Sequence, residues 1–162
     1  MMPTHWDTVK TETFSAGTFS GSIFDGNGGS DHTITTRGPS KVGVYSLRIR
    51  DNSSSSIATT KPIGVAAYKS VVLSFYFQSR RVGNGQYFVV RYSTDDGGSW
   101  TDLQTIRYGD AVFTSNDVWI LAELPAINVQ NVAEVKFQIE TEFSSNRERI
   151  HIDDIVLKGL FA

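Results

Sequence analysis

Strict alternation constrains this chain most. Glu134-Val135-Lys136-Phe137-Gln138-Ile139-Glu140 sets three apolar side chains on one face of a strand and four polar ones on the other. Successive side chains of a strand point to opposite faces, so such a segment is half solvated and needs a cover for its apolar side. The scheme recurs. Val71, Leu73, Phe75 and Phe77 share one face of Val71–Gln78, and Phe88, Val90 and Tyr92 oppose Tyr87, Val89 and Arg91 in Gln86–Ser93. In Tyr45–Arg50 both arginines, Arg48 and Arg50, point outward. Turn signals separate these runs: Gly26–Gly29, Arg37–Ser40, Asp51–Ser56, Gly83–Gly85 and Asp95–Gly98. No segment holds a 3.6-residue period, and Glu123–Ala133, with Pro125 and two asparagines, reads as a loop.

The expected fold is therefore all-β: a two-sheet antiparallel sandwich or jelly roll of about eight to ten strands. Leu47, Phe75, Phe77, Phe88, Val90, Trp100, Phe137 and Ile139 are expected between the sheets. At 162 residues, 40% hydrophobic and 12% aromatic, the chain suits one domain over residues 1–162, with its core at about 12–159.

The net charge of −2, from 15 basic and 17 acidic residues, gives no electrostatic case for a nucleic-acid partner or an anionic membrane. No apolar run approaches the roughly 18–20 residues of a membrane span. The stretch Met1–Trp6 lacks the apolar core of a signal peptide. With no cysteine, a zinc–thiolate site, a catalytic thiol and a disulfide framework are excluded.

The sequence holds no H-E-x-x-H, G-x-S-x-G, Walker A or G-x-G-x-x-G pattern, and its histidines are only His5, His32 and His151. A non-enzyme is expected. Ser93-Thr94-Asp95-Asp96-Gly97-Gly98-Ser99-Trp100 fits the Asp-box pattern S-x-D-x-G-x-[ST]-W, expected to be a self-bonded hairpin with a buried indole. Asp boxes recur in sialidase-type propellers, which need several copies. Here there is one, so its role is read as structural.

Two acidic segments suggest a cation. Asp25–Asp31 is a glycine-rich turn with oxygen donors at alternate positions, equally a plain solvated turn. Ile150–Leu157 carries Asp153 and Asp154 inside a strand. One of the two should fall on the side of Ile150, Ile152 and Val156 and need a partner: calcium, a hydrogen-bond network, or an arginine.

Asp31-His32-Thr33, Val44–Ile49, Val72–Phe77, Trp119 and Ile152-Asp153-Asp154-Ile155 stand in the order of a MAM domain. They resemble equally the carbohydrate-binding-module-like jelly rolls of large extracellular proteins of marine microbes. The likeness spans about Glu12 to Gly159. It departs in lacking the four cysteines of animal MAM domains and in placing Ser15 after Phe14 where a glutamate is usual. It implies a non-catalytic adhesive or glycan-binding role, and a structural calcium between first and last strands, carried by Glu12, Asp31, Asp153 and Asp154. The implied setting is extracellular, as part of a larger protein.

Two functions follow as expectations. In one, the module binds a polysaccharide through outward aromatic and arginine side chains, with Arg48, Tyr76, Tyr87 and Arg91 sharing one face. The arginines lean this reading towards sulfated or uronic-acid glycans. In the other, it is a MAM-like structural or protein-adhesion module with an extracellular protein as its partner.

Overall fold

The computed structural model describes residues 5–26 and 30–162. Its strands are β1 (Trp6–Glu12), β2 (Phe24–Asp25), β3 (His32–Thr35), β4 (Ser46–Arg50), β5 (Ile57–Thr60) and β6 (Ile63–Gly64). There follow β7 (Tyr68–Arg80), β8 (Tyr87–Ser93), β9 (Thr101–Arg107), β10 (Ile120–Glu123), β11 (Ile127–Asn128), β12 (Glu134–Glu142) and β13 (Arg149–Phe161). There is no helix among the described residues, and so none long and apolar enough to cross a membrane.

Two antiparallel sheets form. One runs β10-β7-β13-β4-β3, with β1 added to β13 and β11 to β7. The other runs β2-β5-β12-β8-β9, with β6 added to β12. This is the expected β-sandwich. The two-residue strands raise the count above the sequence estimate, and Ile127–Asn128 pairs with β7 where a loop was expected.

The core follows the alternation. Leu47, Phe75, Phe77, Phe88, Val90, Phe137 and Ile139 are all buried. Phe77 is its aromatic centre, packed edge-on against Phe88 and Phe113 at centroid distances of 5.1 and 5.2 Å. Trp100 departs from expectation. It is only half buried, because the hairpin holds it at the sandwich rim rather than between the sheets.

That hairpin closes on itself. Ser93 Oγ donates to Asp95 Oδ1 (2.6 Å), and Ser99 donates its amide to Oδ1 (2.8 Å) and its hydroxyl to Oδ2 (2.6 Å). These hydrogen bonds lower the Asp95 pKa to about 2.

The last strand breaks the alternation. Asp153 faces Tyr76 on β7 and Val156 faces Ser74, so β13 carries one extra residue between them. Asp154 absorbs this bulge with φ +50°. Ile155 and Leu157 then enter the core beside Ile150 and Ile152, while Val156 turns half outward. Neither aspartate takes the core side that uninterrupted alternation gave one of them.

Candidate functional site

The two outer faces of the sandwich differ. Tyr76 and Arg48 lie on the seven-stranded sheet, Tyr87 and Arg91 on the six-stranded sheet, so the four expected ligand residues do not share a face. Alternation tells inward from outward but not which of two outward faces a strand joins.

On the seven-stranded sheet the segment between β3 and β4 folds over the strands as a strap. Asp153 Oδ2 accepts from the amides of Lys41 (2.8 Å) and Val42 (2.9 Å), and Asp153 Oδ1 accepts from the Asp154 amide (2.7 Å). Burial raises the Asp153 pKa more than these amides lower it. The Lys41 ammonium sits 4.8 Å from the Tyr76 ring centroid. Ser46 Oγ bonds Pro39 O and the His151 ring. Arg48 is half buried, its Nε finds no partner among the described residues, and burial followed by Arg50 and Arg149 lowers its pKa. The strap covers this face around Asp153 and His151.

The six-stranded face is a polar ladder. Arg91 donates Nε to Asp102 (2.7 Å), and its Nη1 to Glu140 (3.0 Å) and Gln138 (3.3 Å). Burial works to lower the Arg91 pKa, and the two carboxylates outweigh it and raise it. Arg107 stacks over the Tyr87 ring at 4.5 Å and donates to Gly85 O. Glu142, opposite Tyr87, has its pKa raised by burial and then by neighbouring Glu140. Sequence reasoning placed Gln138 and Glu140 outward without grouping them with Arg91, and it missed Arg107. Cross-strand register was the missing information.

The expected calcium ligands are not gathered. Glu12 uses one oxygen on the Phe14 amide (2.8 Å) and the other on the Ile23 amide (2.7 Å). Asp31 accepts from Arg50 Nε (3.1 Å) and from the Ser53 and Ser55 hydroxyls. Burial acts to raise the Asp31 pKa, but the serines and the arginine together lower it. Asp153 fastens the strap, and Asp154 occupies the bulge. Among the described residues no group of three or more His, Cys, Asp or Glu side chains is placed to hold a metal ion, so these four are not one donor set. Asn27, Gly28 and Gly29 of the glycine-rich turn lie outside the described residues.

No protein-family model matches the chain, and no curated protein matches it. Solved structures do. The CBM22-1 xylan-binding domain from Paenibacillus barcinonensis Xyn10C superposes with a TM-score of 0.65 at 13% identity, covering 99% of each chain. TmCBM61 in complex with β-1,4-galactotriose gives 0.61 at 16%, covering 90% of this chain and 93% of that one. The K3 cleaved adhesin domain of Lys-gingipain from Porphyromonas gingivalis gives 0.63 at 14%, covering 95% and 99%. At such identities the likeness is one of fold. It lies with carbohydrate-binding-module and adhesin domains and gives the MAM label no support.

Proposed function

We propose that this chain is a non-catalytic carbohydrate-binding module whose site is the six-stranded outer face around Tyr87 and Arg91. The observation that carries this is the contrast between the faces. Each tyrosine carries a cation, Lys41 over Tyr76 and Arg107 over Tyr87, but the strap bonded to Asp153 lies beside Tyr76, whereas Tyr87 and Arg91 stand half buried in a row with Gln138 and Glu140 able to bond hydroxyls. The fold is also that of a xylan-binding domain and of a module solved with galactotriose.

The ligand class shifts from the sequence expectation. Arg91 already pairs with Asp102 and Glu140, and Glu142 adds a further carboxyl, so carboxyl groups outnumber the two arginines, Arg91 and Arg107, and the face disfavours sulfate or uronate. A neutral polysaccharide fits: its hydroxyls meet Gln138, Glu140 and Arg91, and a ring packs on the Tyr87–Arg107 stack. A shallow sheet face buries little area against the cost of association, so single-module affinity is micromolar to millimolar, with tight attachment left to multivalency.

Affinity electrophoresis in gels containing xylan, galactan or a sulfated glycan tests this reading. Tyr87→Ala and Arg91→Ala should each lose retardation in a neutral gel at nearly unchanged Tm, while Tyr76→Ala should keep it. The Arg91 pairs are partly exposed, and such pairs contribute about 0–1 kcal/mol to stability. The adhesin likeness favours a second reading, protein adhesion. No retardation in any gel, together with tight binding of an extracellular protein, would establish it. Release of sugar products would overturn both.

A further inference from the structure

Beside β1 and β6 lies a groove of about 640 Å³, lined in part by Glu12, Thr13, Ser20, Ser22, Lys61 and Ile63. The segment joining β1 to β2, residues 13–23, forms one wall. It has little regular structure: Phe14 has φ +56°, and two short turns bond Gly17 N to Phe14 O and Ser22 N to Phe19 O. Buried Glu12 holds both ends of the segment through the Phe14 and Ile23 amides.

Its carbonyls turn the other way. Phe19 O, Ser20 O and Ser22 O converge on the half-buried Lys61 Nζ at 2.9, 3.3 and 2.8 Å. Three carbonyl dipoles aimed at one point repel one another unless a cation stands there. An ammonium has three N–H donors and no acceptor, which matches three oxygens at hydrogen-bond distance. Calcium asks for about six to eight oxygens at about 2.3–2.6 Å.

We propose that the Lys61 ammonium is the resident cation of this end of the domain, ordering residues 13–23 beside Glu12, one of the residues expected to hold calcium. The backbone supports the placement independently: Lys61 N donates to Ile23 O at 2.7 Å, so strand pairing delivers the side chain to the carbonyls. A buried anion holding amides and a tethered cation holding carbonyls then fix one irregular segment without a metal.

Amide hydrogen exchange of the full chain, read with thermal melting, tests this. Lys61→Met keeps the backbone bond and removes the charge. The expected result is faster exchange confined to residues 13–23 and a Tm lower by about 2–4 °C. If that variant does not fold, Lys61→Gln, which keeps two N–H donors without charge, should show the same local loss to a smaller extent. Wild-type protein should melt alike in EDTA and in calcium chloride, with no change in exchange over 13–23. Unchanged exchange in the Lys61 variants, or calcium-dependent protection of residues 13–23 in wild type, would overturn the proposal.

Discussion

Acid should destabilise this domain through His151. The imidazole is 1% exposed. Ser46 Oγ lies 3.0 Å from Nδ1, while Nε2 has no hydrogen-bond partner among the described residues. Gly38 of the strap, at φ +117°, passes so close that an added Cβ would stand 2.5 Å from the ring. Burial first, then the charges of Arg149, Arg48 and Arg80, bring the pKa from 6.5 to about 4. Between those values the unfolded chain takes up a proton that the folded domain refuses. Stability is therefore full above pH 6.5 and is lost as pH falls towards about 4. At about 1.36 kcal/mol per pH unit the loss is about 3 kcal/mol. For a domain of this size that is a fall in Tm of about 6–12 °C. Asp153, whose pKa is raised, is relieved by the same acid and acts in the opposite sense. The assay is accordingly a difference: urea midpoints of wild type and His151→Gln across the window, beside an NMR titration of the His151 ring. A ring titrating near 6.5 in the folded protein, or a variant with the wild-type acid response, would refute the reasoning.

Two further predictions concern stability. Phe77→Ala empties the middle of the aromatic cluster with Phe88 and Phe113, and should cost about 3–5 kcal/mol in urea unfolding, because packed cores collapse only partly around a lost ring. Asp95→Asn should lower the Tm at neutral pH. It should also remove the part of the acid loss that falls between the ordinary carboxylate value of 3.8 and about 2, since a depressed pKa stabilises above that window and is lost through it. A variant that melts and titrates like wild type would show that the hairpin bonds contribute nothing.

The fold was legible where burial follows a simple period. Leu47, Phe75, Phe77, Phe88, Val90, Phe137 and Ile139 occupy strands whose polar residues alternate with them, and all seven are buried. The Asp-box hydrogen bonds were legible too, because donors and acceptor lie within a few residues of one another. Two kinds of information were hidden. One was the bulge at Asp154, where a single residue at positive φ moves Ile155 and Leu157 inward and breaks the alternation. The other was long-range register. Arg91 meets Asp102 and Glu140 from β9 and β12, Asp153 meets Lys41 and Val42 from far upstream, and Lys61 meets carbonyls of the segment after β1. Local spacing contains none of these pairings. The carboxylates stood out as charged groups in strands, but their backbone partners did not.

The outcome for the two faces rests on where charge is buried. On the seven-stranded sheet Asp153 and His151 are withdrawn from water, the carboxylate raised and the imidazole lowered in pKa, so both are pushed towards their neutral forms. A strap held over such groups shields the part of the face around Asp153 and His151, since opening it breaks two amide bonds to Asp153. On the six-stranded sheet the charged groups stay partly in water, with Arg91 at 24% and Asp102 at 67% exposure. Under the proposed function these bonds exchange with sugar hydroxyls, because groups that keep part of their hydration lose little when a sugar replaces water. The two sheets thus differ in how their charges are held: Asp153 and His151 lie buried beside the strap, whereas Arg91 and Asp102 stay partly in water. Under the proposed function, binding should therefore follow Tyr87 and Arg91 and be indifferent to Tyr76, while the acid response should follow His151 on the opposite sheet.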